Sequence, residues 1–274
     1  RVAMRACVLI NAGFLNADCQ AVRDLAMTTL GRRLSPYPEH PALDTVAGTL
    51  LKAPAKNVVS TLSLTLQSKT EELLRNQLLE LKDQHANAGA VLVLDNATGA
   101  VLAYAANAGL VDSARFVDAI RAPRQAGSTL KPFLYEMAFE QKYLTAASIL
   151  EDTPVSFPTP GGLYVPQNYD KDFKGPVTAR VALASSLNVP AVRVLHLVGV
   201  ENAWTRLRAL GFDLPQTPDF YGHSLALGGA DVSLWALANA YRTLARGGSR
   251  NAPSFVPGTT AESVRIMDSD AAFI

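Results

Sequence analysis

The chain has 274 residues, 49% of them apolar, and a formal net charge of +1 at pH 7. That length holds one large domain or two smaller ones, and the near-neutral balance forces no basic face for nucleic acid. The basic clusters at Arg1, Arg5, Arg32 and Arg33 read as solvated helix surface, and no apolar run is long enough to cross a bilayer.

Arg1 opens inside a helical pattern with neither leader nor initiator methionine, as expected of a stretch cut from a longer chain. Residues 2–9 and 17–30 carry apolar side chains at helical spacing around Gly13 and Asn16 and predict a helical hairpin. Cys7 and Cys19, the only cysteines, fall within it and read as core packing, since two cannot staple a domain of this size. Residues 32–44, RRLSPYPEHPALD, are proline-rich and aperiodic and predict a connector. Residues 57–67, NVVSTLSLTLQ, alternate apolar and polar and predict a strand. At Ser68 the period changes: Ser68 and Glu71 stand in capping-box spacing and predict an amphipathic helix over residues 68–84. Residues 90–106, AVLVLDNATGAVLAYAA, predict a β-hairpin turning at residues 95–99. Helical signals follow at 128–141, 178–185, 189–198, 201–210 and 231–246, the first two separated by a Pro- and Gly-rich stretch at 153–176. Two strands make a poor sheet for so large a domain. Further strands are expected beyond Ile274 rather than in the loops.

Within this pattern one stretch carries chemistry. In GSTLKPF, Ser128 and Lys131 are three residues apart and share a helical face. Pro132 lacks a backbone N–H, so it fits only the first turn and places the helix start close to Ser128. A bare Ser-x-x-Lys arises by chance about once in two chains of this composition, and its bland reading is a capping serine beside a surface lysine. Against that, the helix dipole disfavours a lysine at an N-terminus, and the apolar residues that follow would desolvate it. Desolvation lowers the pKa of an amine and makes it a general base near neutral pH. A second candidate is SSLNVPAV, where Ser186 and Asn188 interrupt two apolar helical stretches; its bland reading is an ordinary capped helix–helix turn. His40, His85, His196 and His223 are scattered without zinc-site spacing, so neither a metal nor a cofactor is expected.

Taken together, GSTLKPF and SLNVPAV resemble the first two active-site motifs of penicillin-binding proteins and serine β-lactamases. The hairpin AVLVLDNATGAVLAYAA is similar to the opening of that fold. SLALGGADVSLWALANAYRTLARGG resembles the segment after the second motif in bifunctional class A penicillin-binding proteins. RAPRQAGSTLKPF and YVPQNYDKDFKGPVTARVALASSLNVPAV look most like the 1C type of that class. The resemblance implies an α/β (α+β) transpeptidase fold with an incomplete antiparallel sheet packed against helices. It also implies catalytic roles for Ser128, Lys131 and Ser186. Ser128 attacks the carbonyl between the two terminal D-alanines of a peptidoglycan stem peptide, Lys131 takes its proton, and Ser186 relays a proton to the departing nitrogen. Asn188 binds the substrate peptide and steadies Lys131.

The partners implied are stem peptides, a lipid-linked precursor and β-lactam antibiotics. The place implied is the periplasmic face of the bacterial inner membrane, reached by a membrane-anchored parent. The division expected is 1–31 as the last helices of a glycosyltransferase domain, 32–87 as a linker, and 88–274 as the transpeptidase. The family's third motif, Lys-Thr/Ser-Gly, does not occur in the 274 residues. The expectation is therefore a domain truncated before that strand, of marginal stability and with an exposed sheet edge. The rival readings are a DD-carboxypeptidase or β-lactamase-like hydrolase, and a catalytically silent binding module.

Overall fold

The computed structural model describes Val46 and residues 59–86, 88–106, 117–159, 162–259 and 261–274. The chain divides into two compact units, Arg1–Asp44 and Thr45–Ile274, and every described residue belongs to the second. The predicted N-terminal helical hairpin, both cysteines and the proline-rich connector lie outside the described residues.

Helix α1 spans Leu64–Glu80. It begins inside the segment that alternation marks as a strand, and residues 59–63 form no strand either. The start is set by Ser63, whose hydroxyl accepts from Leu66 N, so Ser68 and Glu71 lie within the helix rather than capping it. The alternation still has a structural meaning. Ser63 N donates to Leu102 O at 2.9 Å. One turn into the helix, buried Gln67 lays its amide along the next strand: Tyr104 N donates to Gln67 Oε1 at 2.7 Å, and Gln67 Nε2 donates to Tyr104 O at 3.1 Å. A helix side chain thus satisfies strand-edge groups that would otherwise be buried unpaired.

The hairpin forms as predicted, with β1 (Val91–Leu94) antiparallel to β2 (Val101–Ala105). Its turn is fixed by Asp95, which accepts from Thr98 N at 2.7 Å and Thr98 Oγ1 at 2.6 Å, and by Gly99 at φ 80°. Eight more strands of two to four residues lie in the loops, among them β3 (Arg124–Gln125), β4 (Ile149–Asp152), β7 (Gly175–Thr178) and β8 (Asp231–Val232). This corrects the expectation that further strands lie only beyond Ile274. Pairing is in five two-stranded antiparallel units, one of which joins β3 to the distant β8, and none of these strands extends the β1–β2 pair.

The helices surround α2 (Lys131–Glu140), of which seven residues are buried on all sides. An all-round buried helix needs partners on every face. They are α4 (Asn188–Val198), α5 (Val200–Ala209), α7 (Leu234–Ala245) and α8 (Ser269–Phe273), sharing one core with Phe133, Leu134, Leu195, Leu207 and Met267. Burying each such side chain contributes about 2 kcal/mol. Helix α3 (Ala179–Ala184) is capped by Thr178 and α7 by Ser233, so the helix predicted from Asp231 starts three residues later, after β8. Among the described residues no helix is long and apolar enough to cross a membrane.

Candidate active site

Ser128 lies in a 3-10 turn, Gly127–Leu130, and the α-helix begins only at Lys131. A 3-10 turn has three residues per turn, so residues three apart eclipse, which aligns Ser128 with Lys131 more closely than an α-helical start does. Ser128 does not cap α2. The N-cap position belongs to Leu130, which offers no side-chain cap, and that removes the bland reading of this serine. Its side chain is exposed, while Lys131 is 1% exposed.

The turn is held from below. Ala126 N donates to Ala230 O at 3.0 Å and Gly127 N to Gly228 O at 3.1 Å, extending the β3–β8 pairing into the Leu-Gly-Gly segment. Gly228 sits at φ 71°, and a Cβ there would lie 1.9 Å from Gly127 O, so only glycine permits the approach. Tyr241 of α7 donates its hydroxyl to Thr129 O at 2.9 Å.

The structure brings Lys131, Ser186 and Asn188 into one cluster. Lys131 Nζ donates to Ser186 O at 2.6 Å, Asn188 Oδ1 at 2.7 Å, Ser186 Oγ at 3.2 Å and Leu187 O at 3.3 Å. Every one of these acceptors is neutral, so nothing offsets the loss of solvation by Coulomb attraction, and burial pushes the amine down to about 8. Ser128 Oγ makes no hydrogen bond among the described residues. The geometry is thus an exposed hydroxyl on the turn before a buried amine, with a second hydroxyl within the amine's reach. Ser186 is held at φ 53°, left-handed backbone that costs a non-glycine residue about 1–2 kcal/mol. This conformation turns the chain sharply between α3 and α4 and lets the carbonyl and hydroxyl of one residue both face Lys131.

Sequence reading missed the layer behind this cluster. Asn168 and Asp152 are buried at 4% and 0% exposure, and Asn168 Oδ1 accepts from Asn188 N at 2.8 Å. Asp152 ends β4 and Asn168 lies in the proline-rich stretch that follows, and neither showed a spacing that ties it to Asn188. Nor did spacing reveal that His196 and His223 stack, with ring centroids 6.0 Å apart. They lie beside Phe157 rather than at the lysine. No group of three or more potential metal ligands occurs among the described residues.

A buried lysine one turn after an exposed serine, facing a Ser-x-Asn turn, has the parts that acyl transfer through a serine requires, on a mixed helix and sheet scaffold. The chain belongs to the penicillin-binding protein transpeptidase domain family, which matches residues 89–271. It is 34% identical to penicillin-binding protein 1C of Escherichia coli over 229 residues, 81% of this chain and 29% of that protein. It is 33% identical to penicillin-binding protein 1F of Bacillus subtilis, covering 83% of this chain and 33% of that one. The crystal structure of penicillin-binding protein 1A from Haemophilus influenzae is similar at TM-score 0.54 and 31% identity, over 62% of this chain and 25% of that chain. A peptidoglycan glycosyltransferase from Burkholderia ambifaria shares the fold at TM-score 0.61 and 21% identity, over 77% of this chain and 71% of that one. The chain spans a third or less of the length of these two curated relatives.

Proposed function

We propose that this chain carries the acyl-transfer site of a peptidoglycan DD-transpeptidase, with Ser128 as nucleophile, Lys131 as base, Ser186 as proton relay and Asn188 as substrate-binding residue. The single observation that supports it most is the buried Lys131 amine, hydrogen-bonded to both Ser186 and Asn188 and three residues after an exposed serine. Neutral Lys131 takes the Ser128 proton as Oγ attacks the carbonyl carbon of a terminal D-Ala–D-Ala peptide bond. The tetrahedral adduct collapses as the proton passes through Ser186 Oγ to the departing D-alanine nitrogen, leaving an ester on Ser128. The amine of a neighbouring stem peptide then attacks the ester, forming the crosslink amide and returning the proton to the serine. A β-lactam acylates Ser128 by ring opening and leaves nothing to depart.

In this reading residues 88–274 are transpeptidase, 32–87 linker, and 1–31 the end of a glycosyltransferase domain that handles the lipid-linked precursor. The parent is anchored to the inner membrane with this domain on its periplasmic side.

The test is intact-mass analysis after incubation with benzylpenicillin, with a Ser128→Ala variant alongside. One penicillin mass on the wild type and none on the variant supports the assignment. An adduct of equal size on both proteins removes Ser128 from the nucleophile's role. Product analysis with a stem peptide and an acceptor amine separates crosslinking from hydrolysis.

A further inference from the structure

Helix α4, which opens with Asn188, has no cap of its own. Its N-cap residue is Leu187, whose side chain accepts no hydrogen bond and is buried in the core. First-turn N–H groups left without partners are costly when shielded from water. Here the partner comes from another segment: Asn168 Oδ1 accepts from Asn188 N at 2.8 Å and from Val189 N at 3.3 Å. The same loop also grips the Asn188 side chain, because Asn188 Nδ2 donates to Gln167 O at 2.9 Å. With its nitrogen committed there, the Asn188 amide must present Oδ1 to Lys131.

What fixes Asn168 is Asp152. This carboxylate accepts from Asn168 Nδ2 at 2.9 Å on each oxygen and from Lys174 N at 2.9 Å. Asn168 Nδ2 also donates to Asp172 O at 2.9 Å. An amide has one donor end and one acceptor end. A buried carboxylate accepts only, so it forces the Asn168 oxygen toward α4. A chain of defined polarity therefore runs from Asp152 through Asn168 and Asn188 to the Lys131 amine.

We infer that Asp152 and Asn168 are positioning residues for the acyl-transfer site: they cap α4 from another segment and so set the orientation in which Asn188 holds Lys131. The inference rests on the reading of Lys131 as the base of that site. Neither residue faces the reacting atoms. Their effect is on how often the amine stands where it can accept the Ser128 proton, and loss of such alignment costs on the order of 10–100-fold in rate.

The test uses the 274-residue chain with Asp152→Asn, Asn168→Asp and the double swap carrying both. Asp152→Asn keeps the shape but sets a donor against a donor. Asn168→Asp sets two carboxylates together. The swap restores an acceptor at the helix and a donor facing it. One readout is hydrogen exchange at the Asn188 and Val189 amides, expected to be protected in the wild type, deprotected in the single variants and protected again in the swap. The other is the rate and pH midpoint of benzylpenicillin acylation. We expect the single variants to be about 10–100-fold slower with a displaced midpoint, and the swap to be faster than either but short of wild type, because Asp172 O then faces a carboxylate oxygen.

Wild-type amides that exchange like an uncapped first turn overturn the inference. So do single variants that acylate at the wild-type rate, or a folded swap no faster than they are. If a single variant does not fold, a folded swap with protected amides that is acylated by penicillin supports the inference, and one with unprotected amides sinks it. A wild type that takes no penicillin counts against the base reading instead, and the exchange readout then decides the cap by itself.

Discussion

Lys131 is where burial and chemistry meet. An amine with a pKa of about 8 is neutral in about one molecule in ten at pH 7. The acylation rate should therefore climb with pH and reach half its plateau near pH 8, which stopped-flow measurements with a chromogenic β-lactam will check. Lys131→Met should slow acylation by about 100-fold or more, since it removes the base while keeping an unbranched chain in the cavity. A flat pH profile would detach the lysine from proton transfer. Ser186 poses a separate question, because its left-handed backbone is strained by about 1–2 kcal/mol. Ser186→Ala keeps that strain and Ser186→Gly removes it, so the glycine variant should melt above the alanine variant although both lose the hydroxyl. The reverse order in thermal unfolding would show that the conformation is not strained.

Among elements, the turn that carries Ser128 depends on the Gly127–Gly228 contact. Gly228→Ala places a methyl group where Gly127 O now stands, so the turn must move. We expect loss of acylation together with about 2 kcal/mol or more of stability, read by urea unfolding and penicillin labelling of the same sample. Helix α2 is tied to α5 by buried charge. Arg206 Nη1 donates to both Glu136 carboxylate oxygens at 2.9 Å, and Nη2 pairs with Glu140. Burial pushes Glu136 up to about 7 against the opposing pull of Arg206. Arg206→Met leaves that carboxyl unpaired and should cost about 3–5 kcal/mol.

The pH dependence has a definite sign. A carboxyl whose folded pKa exceeds its unfolded value of 4.5 keeps its proton longer when folded, so stability falls as pH rises from 4.5 through the folded pKa. Without Arg206 the folded pKa rises further and the window widens. The penalty of Arg206→Met should thus be larger at pH 8 than at pH 5. Equal penalties at the two pH values would refute this account of the pair.

At the scale of the whole molecule, the β1–β2 pair is a sheet of two strands with one edge of β1 unpaired among the described residues, beside an open groove of about 320 Å³ lined by Leu92, Leu94, Asn96, Ala238, Tyr241 and Arg242. An apolar strand edge of this kind pairs readily with other chains. Light scattering by the isolated chain should rise with concentration, and Leu92→Lys should suppress it. A monodisperse wild type at high concentration would show the edge to be protected. Much of the organisation behind this was readable in advance. The hairpin and the five helices after it announce themselves through periodicity and turn residues, and the resemblance of two motifs to a known family implied the cluster of Lys131, Ser186 and Asn188. The misreadings are local. The segment 57–67 alternates as a strand does, yet from Leu64 on it is helix, capped by Ser63 and bonded to β2 through the Gln67 amide. The short strands in the loops pair over two to four residues, too few for a period to show.

By itself the sequence determined the local code: where glycine must turn the chain, which faces are apolar, and that a serine and a lysine share one face; that a Ser-x-Asn turn stands beside them was implied by the family resemblance alone. Tertiary structure alone decided that the acceptors around Lys131 are all neutral, that Gly228 supports the Ser128 turn, and that Asp152 and Asn168 cap the helix carrying Asn188. The physical reason is range. Propensity and periodicity act over one or two turns of chain, whereas desolvation and the polarity of a buried hydrogen-bond chain depend on which distant segments exclude water from the same place.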